Sequence, residues 1–196
     1  MGSSGSFWSN VQGTANPGGR DYCSLRIGTS ALFGKSVTVE DLDSISFYSK
    51  WESGLNWQIK IYTAIEDGDS SWYRNRFNFD RAAVGSDWVY SSTETLGVSS
   101  IYDKQSGGYV PMPYKMSLDD LKSNYGDETI IFIDIIAGYE TLSPASSTYL
   151  DGVQIAIDGY IANIDLEPCA AVPAPGALLL AGIGTACVGR VRRMVK

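Results

Sequence analysis

The clearest strand pattern in the chain is Trp57-Gln58-Ile59-Lys60-Ile61-Tyr62-Thr63, in which apolar and polar residues alternate. Successive side chains of a strand point to opposite faces, so Trp57, Ile59 and Ile61 share one face and Gln58, Lys60 and Tyr62 the other. Ser53-Gly54 precedes this run, and Glu66-Asp67-Gly68-Asp69 closes it as a turn. The pattern predicts a half-buried strand with Trp57 in the core.

Similar patterns on both sides predict further strands, at residues 22–27, from Ile45 onward, and at 72–79, 87–90, 129–137, 152–158 and 160–166. Residues 129–137 are almost wholly apolar and β-branched, which is typical of a central strand covered on both faces. Asp134 is the exception there and is interpreted as a buried partner for an Arg or Lys. Asp158-Gly159 is a turn signal that joins the last two strands into a hairpin.

One short helix interrupts the strands. Ser117 is a good N-cap for Leu118–Tyr125, Asp119 and Asp120 suit the first turn, and Gly126 follows. Residues 91–113 are rich in Ser, Gly and Pro and are predicted to be a long loop with short irregular strands. The fold class is therefore mainly β, an antiparallel β-sandwich of the jelly-roll kind over residues 21–168, preceded by a flexible arm at 1–20.

Charge is distributed unevenly along the chain. Four basic residues lie at the C-terminus and no acidic residue follows Glu167, so the remaining 11 basic and 22 acidic residues give the body a net charge of about −11. A body this acidic repels phosphates, which argues against nucleic acid as a partner. The composition is otherwise that of a globular protein with many aromatic residues, as expected of β structure.

The residue inventory argues against a metal centre or a redox motif. The chain has no His, and its three cysteines lack CxxC spacing. Cys23 and Cys169 flank the body and are the candidate disulfide pair; two reduced, unrelated thiols are the alternative. Many carboxylates are present, but no spacing singles out an acid and base pair, so a secreted glycoside-active enzyme is the less favoured interpretation and no catalytic residue or cofactor is predicted.

The last part of the chain reads as a membrane segment. Pro173-Ala174-Pro175 ends the linker at 169–175, and Gly176–Gly189 then runs for 14 residues without a charge. Arg190, Arg192 and Arg193 follow at once and would act as a stop that keeps the C-terminus cytoplasmic. Residues 176–196 are therefore predicted to form a hydrophobic, transmembrane-type helix with a basic tail. A buried core helix with a basic end is the alternative.

The order of Val172, Pro173, Pro175 and Gly176, an apolar segment and a terminal Arg cluster resembles the PEP-CTERM sorting signal. In that family the segment holds an exported protein in the inner membrane until an exosortase, a membrane cysteine protease, processes it near the Pro motif. The resemblance implies an exported protein, transiently membrane-anchored and then displayed on the cell surface of an exopolysaccharide-producing bacterium. Ala174 stands where the family usually has Glu, which leaves the exosortase variant open.

The start of the chain conflicts with export. Met1 to Asn10 reads MGSSGSFWSN, without the basic residues and apolar run of a signal peptide. We expect the natural start to lie upstream; the alternatives are that MGSSGS is an added leader or that the protein is not exported.

Two groups of residues could bind a ligand. Trp72, Arg74 and Arg76 should line up on the outward face of the strand at 72–79, where an aromatic ring and two guanidinium groups suit an acidic polysaccharide. The alternative is that a loop covers them and the arginines pair with acids. Residues 149–155 are similar to the closing strand of carbohydrate-binding jelly rolls, in which the Asp equivalent to Asp151 often fixes a loop or calcium. Asp151 is otherwise a simple turn residue.

The function predicted from these patterns is that of an exported, non-enzymatic surface or matrix protein that binds exopolysaccharide. The alternative is a structural matrix protein that self-associates and has no ligand.

Overall fold

Alternating apolar residues build two antiparallel β-sheets in the computed structural model, which describes residues 7–10, 22–52, 56–67, 71–138, 147–164 and 166. In chain order the strands are β1 Phe7–Asn10, β2 Tyr22–Gly28, β3 Leu42–Trp51, β4 Gln58–Thr63, β5 Asn75–Arg81, β6 Val89–Ser92, β7 Val98–Asp103, β8 Gly108–Met116, β9 Ile130–Gly138, β10 Ser147–Ile157 and β11 Tyr160–Ile164. Sheet I has the order β1-β10-β3-β6, with β11 also paired to β10, and sheet II has the order β2-β9-β4-β5-β7-β8.

The two sheets share one hydrophobic core. Phe47 and Ile155 of sheet I belong to the same buried cluster as Ile61, Phe77 and Ile133 of sheet II. Trp57, Ile59 and Ile61 belong to the core cluster, as predicted, but the strand is not half-buried, because Lys60 and Tyr62 on its other face are also buried. The mainly β fold class is therefore confirmed.

Several local predictions are confirmed in detail. β9 is an interior strand of sheet II, paired with β2 on one side and with β4 on the other. Helix α2, Leu118–Tyr125, has the predicted N-cap: the Ser117 side chain accepts from the Asp120 backbone, and the Asp120 carboxylate accepts from Ser117 in return. The β10–β11 hairpin turns at Asp158 and Gly159, both with positive φ (55° and 74°), as a two-residue turn of this sequence requires.

Other predictions were wrong. Most of the loop predicted at residues 91–113 is instead strand, because β7 and β8 form a hairpin that extends sheet II, with one register shift between Val98 and Ser100. β8 is largely exposed on both faces and carries Pro111 and Pro113, so it lacks the alternation that marks a half-buried strand. A second short helix, α1 Thr29–Phe33, was missed because its N-cap, Gly28, offers no capping side chain.

The arm predicted at 1–20 contains β1, which pairs with residues 147–150 of β10. The rest of that arm, the Cys169 half of the candidate disulfide and the whole sorting and membrane tail from Val172 onward lie outside the described residues. Within the described ranges, no helix is long and apolar enough to cross a membrane.

Candidate functional site

The face of sheet II that points away from the core carries an unusual row of polar side chains. Strand register places Arg26, Asp134, Lys60, Asn78 and Ser100 side by side across β2, β9, β4, β5 and β7. These positions alternate with core residues such as Ile61 and Ile133, so they face outward. All but Arg26 are nevertheless buried, with Asp134 only 1% and Lys60 only 3% exposed. We call these five residues the polar row.

Asp134 anchors the polar row through a bidentate ion pair. Arg26 donates from Nε to Oδ1 and from Nη2 to Oδ2, both at 2.8 Å. The prediction that Asp134 is a buried partner for a cation is thereby confirmed. The same guanidinium lies 4.3 Å from the centroid of the Phe132 ring, so it is held by a carboxylate and by an aromatic face.

Positive charge accumulates around this one carboxylate. At outward positions of β2, β4, β5 and β9 the structure describes one carboxylate, Asp134, and four cations: Arg26, Lys60, Arg76 and Arg81. The pKa of Lys60 is lowered to about 8, first by burial and then by repulsion from Arg76 and Arg81. Asp80, at the bulge of β5, is paired with Lys115 of β8. This face is therefore positive on a chain whose net charge is −7.

Four aromatic rings pack beside the polar row, where Phe132 and Tyr62 are the next outward residues after Asp134 on β9 and Lys60 on β4. Tyr62 stacks on Phe132 with ring centroids 4.4 Å apart. Trp72 lies across this pair, 5.4 Å from Tyr62 and 5.6 Å from Phe132, almost parallel to the Phe132 ring at 8°. Tyr73 contacts the edges of Tyr62 and Trp72. We call Tyr62, Trp72, Tyr73 and Phe132 the aromatic cluster.

Trp72 is the accessible member of the aromatic cluster. Its side chain is held from one side by Tyr62 and Phe132, yet the residue is 59% exposed, whereas Tyr62 and Tyr73 are buried. A large aromatic side chain supported in this way presents a fixed, flat apolar surface to solvent.

Arg76 connects the aromatic cluster to the polar row. Its guanidinium lies 5.9 Å from the Tyr62 centroid and 4.9 Å from the Tyr102 centroid. Within the described part of the chain, its buried Nε has no hydrogen-bond partner. Arg76 is thus a partly buried cation held between two aromatic faces.

The predicted line of Trp72, Arg74 and Arg76 on one strand is wrong. β5 begins only at Asn75, because the Thr63 hydroxyl accepts the Asn75 amide and the Thr63 carbonyl accepts the Arg74 amide, which ends the ladder with β4. Trp72 and Arg76 still meet on Tyr62. Arg74 does not lie with them. It forms ion pairs with Glu66 and Glu128, so for Arg74 the alternative prediction, that the arginines pair with acids, is confirmed.

Asp151 lies on β10, in sheet I, and its carboxylate accepts the Gly152 amide at 2.7 Å. No set of three or more His, Cys, Asp or Glu side chains is placed to hold a metal ion among the residues that the structure describes.

Sequence reasoning missed most of the basic residues of this site. Arg26, Lys60 and Arg81 lie on three different strands, and parity alone already places Arg26 and Lys60 on polar faces. The missing information was the strand order, which brings β2, β9 and β4 together although β9 follows β4 by more than sixty residues.

Comparisons with known proteins returned no match to the chain, whether with family models, curated proteins or solved structures.

Proposed function

We propose that this chain is a non-enzymatic protein of a bacterial surface or extracellular matrix, and that it binds acidic polysaccharide through the outer face of sheet II. The observation that carries the proposal is the exposed Trp72, supported by Tyr62 and Phe132, beside a concentration of cations on an otherwise acidic chain.

The aromatic cluster suits a sugar ring. The apolar C–H face of a pyranose packs on a flat aromatic side chain, and Trp offers the largest such surface. Because Trp72 is already held by two rings, binding costs little side-chain entropy. Tyr62, Tyr73 and Phe132 act as supports beneath it.

The cations suit a carboxylate on that sugar. Guanidinium groups bind carboxylates in a planar, bidentate manner, and the half-buried Arg76 lies 5.9 Å from the Tyr62 ring of the aromatic cluster. A positive face on an acidic protein also steers an anionic polymer to this surface and away from the rest. Binding should therefore weaken as salt concentration rises.

The strand order supports a jelly roll. With β7, β8 and β11 left aside, sheet I has the order β1-β10-β3-β6 and sheet II the order β2-β9-β4-β5, and the chain crosses repeatedly between these two sets of four strands, as in a jelly roll. We infer a jelly roll in which β7 and β8 extend sheet II and β11 extends sheet I.

The sorting part of the proposal depends on the tail. Val172, Pro173, Pro175 and Gly176 would mark the site near which an exosortase acts, and Arg190, Arg192 and Arg193 would stop transfer through the membrane. Mass spectrometry of the protein from an exosortase-carrying host checks this: a surface form that ends near Gly176 is expected, and a surface form that retains Lys196 contradicts it.

A glycan array probed with the full chain tests the binding proposal. The wild type should be retained on uronate-containing polysaccharides, and Trp72→Ala should lower the affinity at least 10-fold, because the stacking surface is lost. Tyr114→Ala is the matched control, since Tyr114 is an exposed ring on β8 outside the aromatic cluster. The proposal is contradicted if no acidic glycan retains the wild type, or if Trp72→Ala and Tyr114→Ala lose affinity equally.

Self-association without a ligand is the second candidate function. Among the described residues β11 is an edge strand of sheet I, and its Tyr160 and Ile161 are exposed, which leaves a surface for another copy. Light scattering after size-exclusion chromatography distinguishes the two candidate functions. The structural role is favoured if the wild type assembles, Ile161→Lys abolishes the assembly, and no glycan retains the protein.

A further inference from the structure

The outer face of sheet I carries a second group of rings, of which Tyr48 and Tyr90 are exposed and Trp88 and Tyr149 half-buried. Tyr48 of β3 and Tyr90 of β6 are opposite each other in the strand register, with centroids 5.3 Å apart. Trp88 and Tyr149 lie beside them with centroids 6.5 Å apart, and the Lys50 ammonium is 5.5 Å from the Tyr149 ring. Tyr90 is 52% exposed. We call Tyr48, Trp88, Tyr90 and Tyr149 the tyrosine face.

The backbone of β10 is shaped around Tyr48. Gly152 has φ +57° at the register shift between Asp151 and Gln154, a conformation that L side chains rarely adopt. A Cβ at this position would lie 3.1 Å from Cδ2 of Tyr48. The Tyr48 ring therefore rests directly on the strand backbone, which holds it in a defined place.

The tyrosine face differs in charge from the face on sheet II. Lys50 is paired with Glu52 at 3.8 Å, and Asp151 lies opposite Tyr48. One ammonium and two carboxylates leave this face close to neutral, so it offers no attraction to a polyanion. Next to the rings, the exposed residues Gln154 on β10 and Asn163 on β11 lie opposite each other and offer amide groups. Tyrosine rings beside amide groups fit a polyhydroxylated, uncharged chain better than an apolar protein surface.

We propose that the tyrosine face is a second glycan site, which takes an uncharged polysaccharide, so that one domain bridges an acidic and a neutral polysaccharide chain. The inference rests on the proposed function for the sheet II face and adds the second ligand class. Because Phe47 and Ile61 point into the shared core, Tyr48 and Tyr62 point away from each other on opposite sides of the molecule. The two ligands therefore do not compete for space.

A bead-bridging assay tests this inference with the full chain. Polygalacturonate-coated beads are loaded with protein and then incubated with fluorescent hydroxyethylcellulose or fluorescent dextran as neutral probes. Wild type should carry at least one neutral probe onto the beads. Tyr48→Ala combined with Tyr90→Ala should reduce the captured probe at least 10-fold while bead loading stays within twofold of wild type. Trp72→Ala should lose bead loading. It should still be retarded in a native gel that contains the neutral polysaccharide.

Each outcome separates the two proposals. If wild type loads the beads but captures neither neutral probe, or if the double variant captures as much as wild type, the second site is wrong and the sheet II proposal stands. If wild type does not load the beads at all, the sheet II proposal fails. The tyrosine face would then still stand as a site if the native gel with neutral polysaccharide retards the wild type and not the Tyr48 and Tyr90 double variant. No retardation of the wild type would overturn the tyrosine face as a site.

Discussion

The outer faces of the two sheets both carry aromatic rings, but they treat charge differently. On sheet II the charged side chains are part of the packing: Asp134 and Lys60 are buried, and Arg26 is fixed by a bidentate pair and by Phe132. On sheet I, Lys50 and Asp151 are only half-buried at the margin of the tyrosine face. Charge on sheet II is therefore built into the fold, whereas charge on sheet I is incidental to it.

Burial explains the difference in energetic terms. An ionised group taken out of water must be paired, and removing one member of a buried pair leaves an uncompensated charge. Exposed pairs contribute little because water screens them. Positive charge that the fold retains at a cost to stability is consistent with a binding role for the outer face of sheet II.

The largest expected effect is on stability when Arg26 is removed. Arg26→Ala leaves the Asp134 carboxylate buried without its bidentate partner, and we expect the free energy of unfolding to fall by about 2–4 kcal/mol. Urea denaturation followed by circular dichroism measures it. Lys50→Ala on sheet I is the matched control and should change stability by no more than about 0.5 kcal/mol.

A second replacement keeps this prediction specific. Arg26→Met with Asp134→Leu and Lys60→Met removes the ion pair together with the neighbouring buried ammonium and should recover most of the lost stability, because no buried charge of the polar row is left unpaired. Equal stability losses in Arg26→Ala and Lys50→Ala would erase the contrast between the two faces.

The next effect concerns Lys60 and pH. The folded pKa of Lys60 is about 8, below the value of 10.5 in an unfolded chain, so folding disfavours the charged form. That penalty is complete below pH 8 and fades as pH rises toward 10.5. Arg76 and Arg81 add to it, and Asp134 opposes it. Lys60→Met should therefore stabilise the protein by about 1–3 kcal/mol at pH 7.

Denaturation of both proteins between pH 7 and pH 10 checks this prediction. The advantage of Lys60→Met over wild type should stay nearly constant up to about pH 8 and shrink between pH 8 and pH 10, and the binding of Lys60→Met to polygalacturonate should be weaker at pH 7. A pH-independent difference would mean that the ammonium is not the cause.

The sequence and the structure agree where a single strand carries its own information. Alternation in residues 57–63 was enough to place Trp57 in the core, and one acid on an apolar strand was enough to predict a cation beside Asp134. The site itself depends on pairings between distant strands. Arg26 meets Asp134 across 108 residues, and no local pattern reports such a register. β8 escaped prediction because both of its faces are largely exposed, so burial imposes no period on its sequence.

The smallest effect is expected at the glycine beneath Tyr48. Gly152→Ala forces a side chain into a left-handed conformation and against the Tyr48 ring, so we expect a loss of about 1 kcal/mol in stability. Gly159→Ala, where φ is also positive but nothing lies within 4 Å, separates the two causes. Thermal unfolding should give a larger loss for Gly152→Ala; the reverse order would mean that Tyr48 does not rest on the strand.

We expect the sheet II face, and not the sheet I face, to bind acidic glycan. The most direct measurement is a titration of the ¹⁵N-labelled chain with oligogalacturonate, followed through the indole N–H signals of its five tryptophans. Trp72→Phe and Trp88→Phe assign the two relevant signals. The Trp72 signal should shift and saturate while the Trp88 signal stays in place. A shift of the Trp88 signal alone, or no shift of either, would contradict the claim.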